Sequence, residues 1–158
     1  MRKTREANKG FSLVELIIVI AIMAILIGVL APQYLKYVEK SKITADKDLL
    51  DAVFQACSTA SAEDDITDLP RGGDTNITVD TSGIHPKWSA RVLELLGATD
   101  FQTDIEGKLK SKVATRADLG NRNIIIEVDN MNCFTVYVGA KTNANHNATG
   151  IVAGVEAD

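Results

Sequence analysis

The sequence predicts an α+β fold: one long N-terminal α-helix, membrane-spanning in its first half, with a small antiparallel β-sheet packed on its C-terminal half. Three features predict it. Residues 11–31, FSLVELIIVIAIMAILIGVLA, form an apolar run that carries one charge, Glu15. Residues 33–62 continue with helical periodicity and contain no Gly or Pro. Near the C-terminus, the runs 123–129 and 133–139 alternate in the two-residue rhythm of a strand.

The first element is basic. Arg2, Lys3, Arg5 and Lys9 stand against Glu6 alone, so the first ten residues carry +3 and the rest of the −4 chain carries −7. An acidic body does not suit a phosphate backbone, and no nucleic-acid partner is expected. The apolar run follows, and a helix needs about 20 such residues to cross a bilayer. Pro32 ends the run. Three zones result: a head over 1–10, a membrane half-helix over 11–32 and a globular domain over 33–158.

The helix is expected from about residue 12 to about residue 61, roughly 75 Å at 1.5 Å per residue. Pro32 removes one backbone hydrogen bond inside it, so a bend is expected there. In its second half, Leu35, Val38, Ala45, Leu49, Ala52, Val53, Ala56 and Ala60 fall on one face. Ile43, Leu50, Phe54 and Cys57 form a shoulder, with Lys40, Lys47, Asp48, Asp51 and Gln55 opposite.

Residues 63–76 are turn-rich and stop the helix. Ile77–Val79 is a short strand candidate. Residues 85–97 read as an amphipathic helix with Trp88, Val92, Leu95 and Leu96 on one face and Gly97 as C-cap. Strands are expected over 107–114, 123–129 and 133–139, the last two joined by a hairpin turn at Asp129-Asn130-Met131-Asn132.

Little in the chain suggests chemistry. The two cysteines, Cys57 and Cys133, have no Cys-x-x-Cys spacing and no paired histidines, which argues against zinc. They form either one disulfide, as suits an exported protein, or two buried free thiols. Glu63, Asp64, Asp65 and Asp68 do not follow an EF-hand spacing and read as a solvated helix end. No catalytic pattern, metal site or cofactor motif is present, and the chain does not read as an enzyme.

The informative segment is KGFSLVEL, Lys9 to Leu16. A secretory signal has an apolar region of about 7–15 residues and is cut after it. This run is longer and holds a carboxylate, whose burial deep in a bilayer costs about 2.5–3.5 kcal/mol. Such a residue needs a partner. The stretch KGFSLVELIIVIAIMAIL resembles the leader-plus-helix signature of type IV prepilins and pseudopilins, the class III signal peptide. The close match covers residues 8–35.

The resemblance implies the pilin fold and a structural role. A prepilin peptidase would cut between Gly10 and Phe11, Gly10 being needed because a side chain there would block the protease. Phe11 would be N-methylated, and Glu15 would pair with the Phe11 amine of a neighbouring subunit during assembly. The chain would begin as a single-pass precursor in the inner membrane with its N-terminus in the cytoplasm. An assembly platform and motor would then build it into an extracellular homopolymer, a type IV pilus, with this chain as the major subunit. Gly28 and Pro32 would flank a weak helical stretch that lends the fibre extensibility. One alternative is a pseudopilin of a type II secretion or DNA-uptake apparatus. A second, from another class, is a membrane-anchored binding domain that never polymerises, against which Gly10, Phe11 and Glu15 argue.

Overall fold

A computed structural model describes residues 10–116, 122–139, 141–143, 146–147 and 151–154. The basic head at residues 1–9 and much of the tail after Lys141 lie outside the described residues. The chain divides into two compact units, Met1–Val38 and Glu39–Asp158. Residues 33–37 are exposed, so the globular unit begins at Glu39.

Helix α1 spans Leu13–Ser61 and runs through Pro32 without interruption. In the second unit its buried residues are Asp46, Leu50, Val53, Ala56, Cys57 and Ala60, of which Val53, Ala56 and Ala60 lie on the expected face, and they fall on one side of a helix with period 3.6. The core face is therefore turned from the expected one. Ala45 and Ala52 are exposed, while Leu50 and Cys57, expected on the shoulder, are fully buried. The reason is Asp46. A charged residue was not expected to face the core, but its two carboxylate oxygens accept the backbone N–H groups of Lys110 and Ser111, each at 2.9 Å. A buried carboxylate held by backbone donors is compatible with a core position.

Helix α2 covers Pro86–Leu96, with Pro86 in its first turn, where a missing N–H costs nothing. It ends at Gly97 in the left-handed region, φ 61°, whose N–H bonds back to Glu94. Helix α3 is one turn, Phe101–Asp104, capped by the Asp100 carboxylate on the Thr103 N–H at 2.7 Å. A 3₁₀ turn follows at Glu106–Lys108. The strand expected over 107–114 does not form. Its backbone N–H groups are taken by α1 instead, Lys110 and Ser111 by Asp46 and Lys112 by Glu39.

The sheet is built from β1 (Ile124–Val128), β2 (Phe134–Val138) and β5 (Val152–Gly154), antiparallel in the order β1-β2-β5. The hairpin has Ile126 opposite Val136 and Glu127 opposite Thr135, and Ala153 lies opposite Val136 on the other side. A second ribbon pairs β3 (Lys141–Asn143) with β4 (His146–Asn147). The hairpin turn falls at Asp129–Asn132 as expected, closed by the Asn132 N–H on the Asp129 carbonyl at 3.0 Å.

The Ile77–Val79 candidate contributes a single bridge, Ile77 to Ile126. With it, Gly73 donates to Val128 and Val128 donates to Asp74, so residues 73–77 cover the outer edge of β1. Gly72 lets this segment approach: a Cβ there would sit 2.8 Å from the Asp129 carbonyl oxygen.

Alternation along β1 and β2 buries Ile124, Ile126 and Val128 together with Phe134, Val136 and Val138. They share one core with Leu50, Val53 and Cys57 of α1 and with Trp88 and Val92 of α2. Trp88 sits at the junction. It stacks on Phe134 with ring centroids 5.9 Å apart and planes 8° from parallel, and its indole N–H donates to the Ser61 hydroxyl at 2.9 Å. The indole thus finds a partner for its one polar atom while the rings are buried.

Candidate membrane-inserted assembly segment

The N-terminal end of α1 carries the residues singled out in the sequence. Gly10 and Phe11 precede the helix, and Phe11 is 92 % exposed. A Cβ on Gly10 would meet nothing within 4 Å. Among the described residues, nothing therefore requires glycine there.

Ser12 and Glu15 cap the helix reciprocally. The Ser12 hydroxyl accepts the Val14 N–H at 3.3 Å, and the Glu15 carboxylate accepts the Ser12 N–H at 2.8 Å. Both backbone groups belong to the first turn, whose N–H groups have no helical partner. A carboxylate there also meets the positive end of the helix dipole. The sequence reading missed Ser12, although Ser12-Leu13-Val14-Glu15 is the Ser-x-x-Glu pattern that opens many helices. Glu15 is met first by a backbone N–H and not by a cation.

From Leu13 to Leu30 every large apolar side chain of α1 is at least 51 % exposed. This is the one described helix long and apolar enough to cross a membrane, by length and composition. Each exposed Leu or Ile stands to gain about 1.5–3 kcal/mol on leaving water, so the segment demands an apolar environment of lipid or protein. Gly28 lies within it and also has open space around a built Cβ.

The other candidates are not drawn into this segment. Cys57 and Cys133 are free, Cys57 fully buried on α1 and Cys133 half-buried beside the hairpin turn. Burial pushes the Cys57 thiol far above its ordinary range, which makes it a poor nucleophile. In the acidic stretch after α1, Glu63 pairs with Arg91 at 2.8 Å and the Asp68 carboxylate accepts the Lys87 N–H at 2.8 Å. These groups tie the loop to α2.

A polar cap, an exposed apolar half-helix and a small α+β body define a class: proteins whose N-terminal helix is fitted to a lipid or apolar protein phase. The family model for the prokaryotic N-terminal methylation motif matches residues 5–31. A type IV major alpha-pilin of Moraxella bovis is 29 % identical over 121 residues, 72 % of this chain and 73 % of that protein. Two fimbrial proteins of Pseudomonas aeruginosa are each 38 % identical over 58 residues, a segment spanning 37 % of this chain and 38 % of theirs. No solved structure matches. The motif and these relatives make the chain similar to type IV pilins, a family of structural subunits and not of enzymes.

Proposed function

We propose that this chain is a filament subunit, the major pilin of a type IV pilus, made as a membrane precursor and polymerised after processing. The observation that carries the reading is the order of groups at one helix end: Gly10, Phe11, the Ser12–Glu15 cap, then an exposed apolar helix. A prepilin peptidase cuts between Gly10 and Phe11, and the new amine of Phe11 is methylated. Open space around Gly10 supports a glycine requirement imposed by a protease and not by this fold.

In the membrane, the Ser12 N–H offsets part of the cost of the Glu15 charge. At the fibre base, the Phe11 amine of a neighbour offers a full positive charge in its place. Pairing removes two unfavourable lone charges together and sets subunit register in an otherwise uniform apolar bundle. The assembly platform and its motor supply the work of extraction, and the apolar half-helices then bury one another as the fibre core. Gly28 and Pro32 mark the stretch where that core yields under load, because glycine weakens a helix and proline deletes a hydrogen bond.

The test is direct. Cells expressing the chain, labelled with an antibody against residues 63–158 and viewed by electron microscopy, should show labelled surface filaments. Label confined to the cell membrane would reject polymerisation and favour a monomeric membrane-anchored domain.

A further inference from the structure

The far end of the apolar segment changes character by level along the helix and not by side. Up to Leu30 and Ala31 every side of α1 is apolar; then come Gln33, Tyr34, Leu35, Lys36 and Tyr37, all exposed. At about 100° per residue these five encircle the helix. Among the described residues, neither the Tyr34 phenol, the Tyr37 phenol nor the Lys36 ammonium has a hydrogen-bond or ion-pair partner. A protein partner running beside a helix selects a stripe along it. A boundary drawn across the helix on all sides fits a planar layer perpendicular to the axis.

The axial distance agrees. From Leu13 to Tyr34 the helix rises roughly 32 Å at about 1.5 Å per residue, against about 30 Å of bilayer hydrocarbon. Tyrosine places an apolar ring and a polar tip at such a boundary, and lysine reaches outward to phosphate. We propose that Tyr34, Lys36 and Tyr37 form an interfacial collar that docks in the phosphate-bearing headgroup layer of the bilayer, on the face opposite the N-terminus. The collar fixes the depth of the precursor. With it in place, Glu15 lies roughly 28 Å away along the axis, at the opposite hydrocarbon boundary, where the Ser12 cap and water both reach it. Two phenols and one ammonium match a phosphate layer in polarity and in charge. This rests on the reading that residues 11–31 span a membrane before assembly.

The experiment uses the full chain in vesicles of phosphatidylcholine with phosphatidylglycerol. Cys133→Ser leaves only the buried Cys57, and a nitroxide is then attached through Leu35→Cys or, separately, Ile25→Cys. Depth is read from relaxation by oxygen against a water-soluble nickel complex. The label at 25 should lie in hydrocarbon. If it does not, the membrane-spanning reading fails, and the collar with it. With the label at 25 in hydrocarbon, the label at 35 should sit at headgroup level. The triple change Tyr34→Ala, Lys36→Gln, Tyr37→Ala should move it by about one helical turn, ~5 Å. A label at 35 deep in hydrocarbon, free in water, or unmoved by the triple change overturns the collar. So does concentration-dependent spin–spin broadening at 35 without a headgroup depth, which would assign this level to a second copy of the chain.

Discussion

The Glu15 carboxylate accepts the backbone N–H of Ser12 at 2.8 Å, so the one charge inside the apolar run is held by its own helix terminus. Any cation recruited during assembly therefore competes with a bond that already exists. In the proposed assembly, the amine that cleavage before Phe11 would create is next to this N–H in sequence, and a neighbour's amine would have to outdo both.

Glu15→Gln and Glu15→Val separate the two roles. Glutamine keeps an acceptor for the Ser12 N–H without the charge, whereas valine removes both. Both variants should insert in the membrane and be cut, yet give at least about tenfold less sheared fibre, because a charge-assisted bond is worth about 1.5–3 kcal/mol. Wild-type fibre yield from Glu15→Gln, beside failure of Glu15→Val, would reduce Glu15 to a helix cap.

Processing should leave a chain that starts at N-methyl-Phe11, which intact-mass spectrometry of the native protein reads. Gly10→Val should accumulate as uncut precursor of normal fold, since a Cβ at position 10 meets nothing within 4 Å among the described residues. A mature chain that retains Met1, or one cut after Ala31, would contradict the assignment.

Asp46→Ala should destabilise the globular unit by about 2–4 kcal/mol, because it strands two backbone donors, Lys110 and Ser111, beside a new void. A truncated chain beginning at Gln33 should be soluble and unfold cooperatively in urea, and the midpoint of Asp46→Ala should fall well below it. An unchanged midpoint would mean that the 109–116 loop is not held by this carboxylate.

The Tyr137 hydroxyl donates to Glu127 at 2.8 Å, and burial, together with that carboxylate, pushes its pKa well above the usual value. Its folded pKa lies above the unfolded one, so the stability it contributes is complete below about pH 10 and is lost as pH rises further. Alkaline titration should show the Tyr137 phenolate appearing with unfolding and not before it, a step absent from Tyr137→Phe. A phenolate that appears in the folded protein near pH 10 would refute the buried donor.

The long helix, α2 with its Gly97 cap and the 123–139 hairpin were legible because each follows one clean period, but the buried apolar face of α2 is Trp88, Val92 and Leu93, and Leu95, expected on it, is exposed. Where a side chain serves the backbone, periodicity misled. Asp46, on no expected face, lies in the buried row of α1, while Ala45 and Ala52, expected there, are exposed. Its grip on Lys110 and Ser111 also explains why 107–114 is no strand. Strand β5 escaped notice because Val152, Ala153 and Gly154 are too few to show alternation, and they lie far in sequence from the hairpin they join. At the candidate site, Gly10, Phe11 and Glu15 were legible as a motif. Ser12 was equally so, but only to a reading that asked where the first-turn N–H groups go.

In the proposed filament, where copies would lie side by side, the cover that residues 73–77 place on β1 matters. An open strand is a template for any passing chain, and copies held side by side would stack through their backbones into disordered sheets. With Gly73 and Ile77 donating to the Val128 and Ile126 carbonyls and Asp74 accepting from the Val128 N–H, that misassembly route is blocked along this part of the edge. Gly72 keeps the cover seated, so a bulkier residue there should appear first as amyloid-like precipitation at high expression and only secondarily as lost stability.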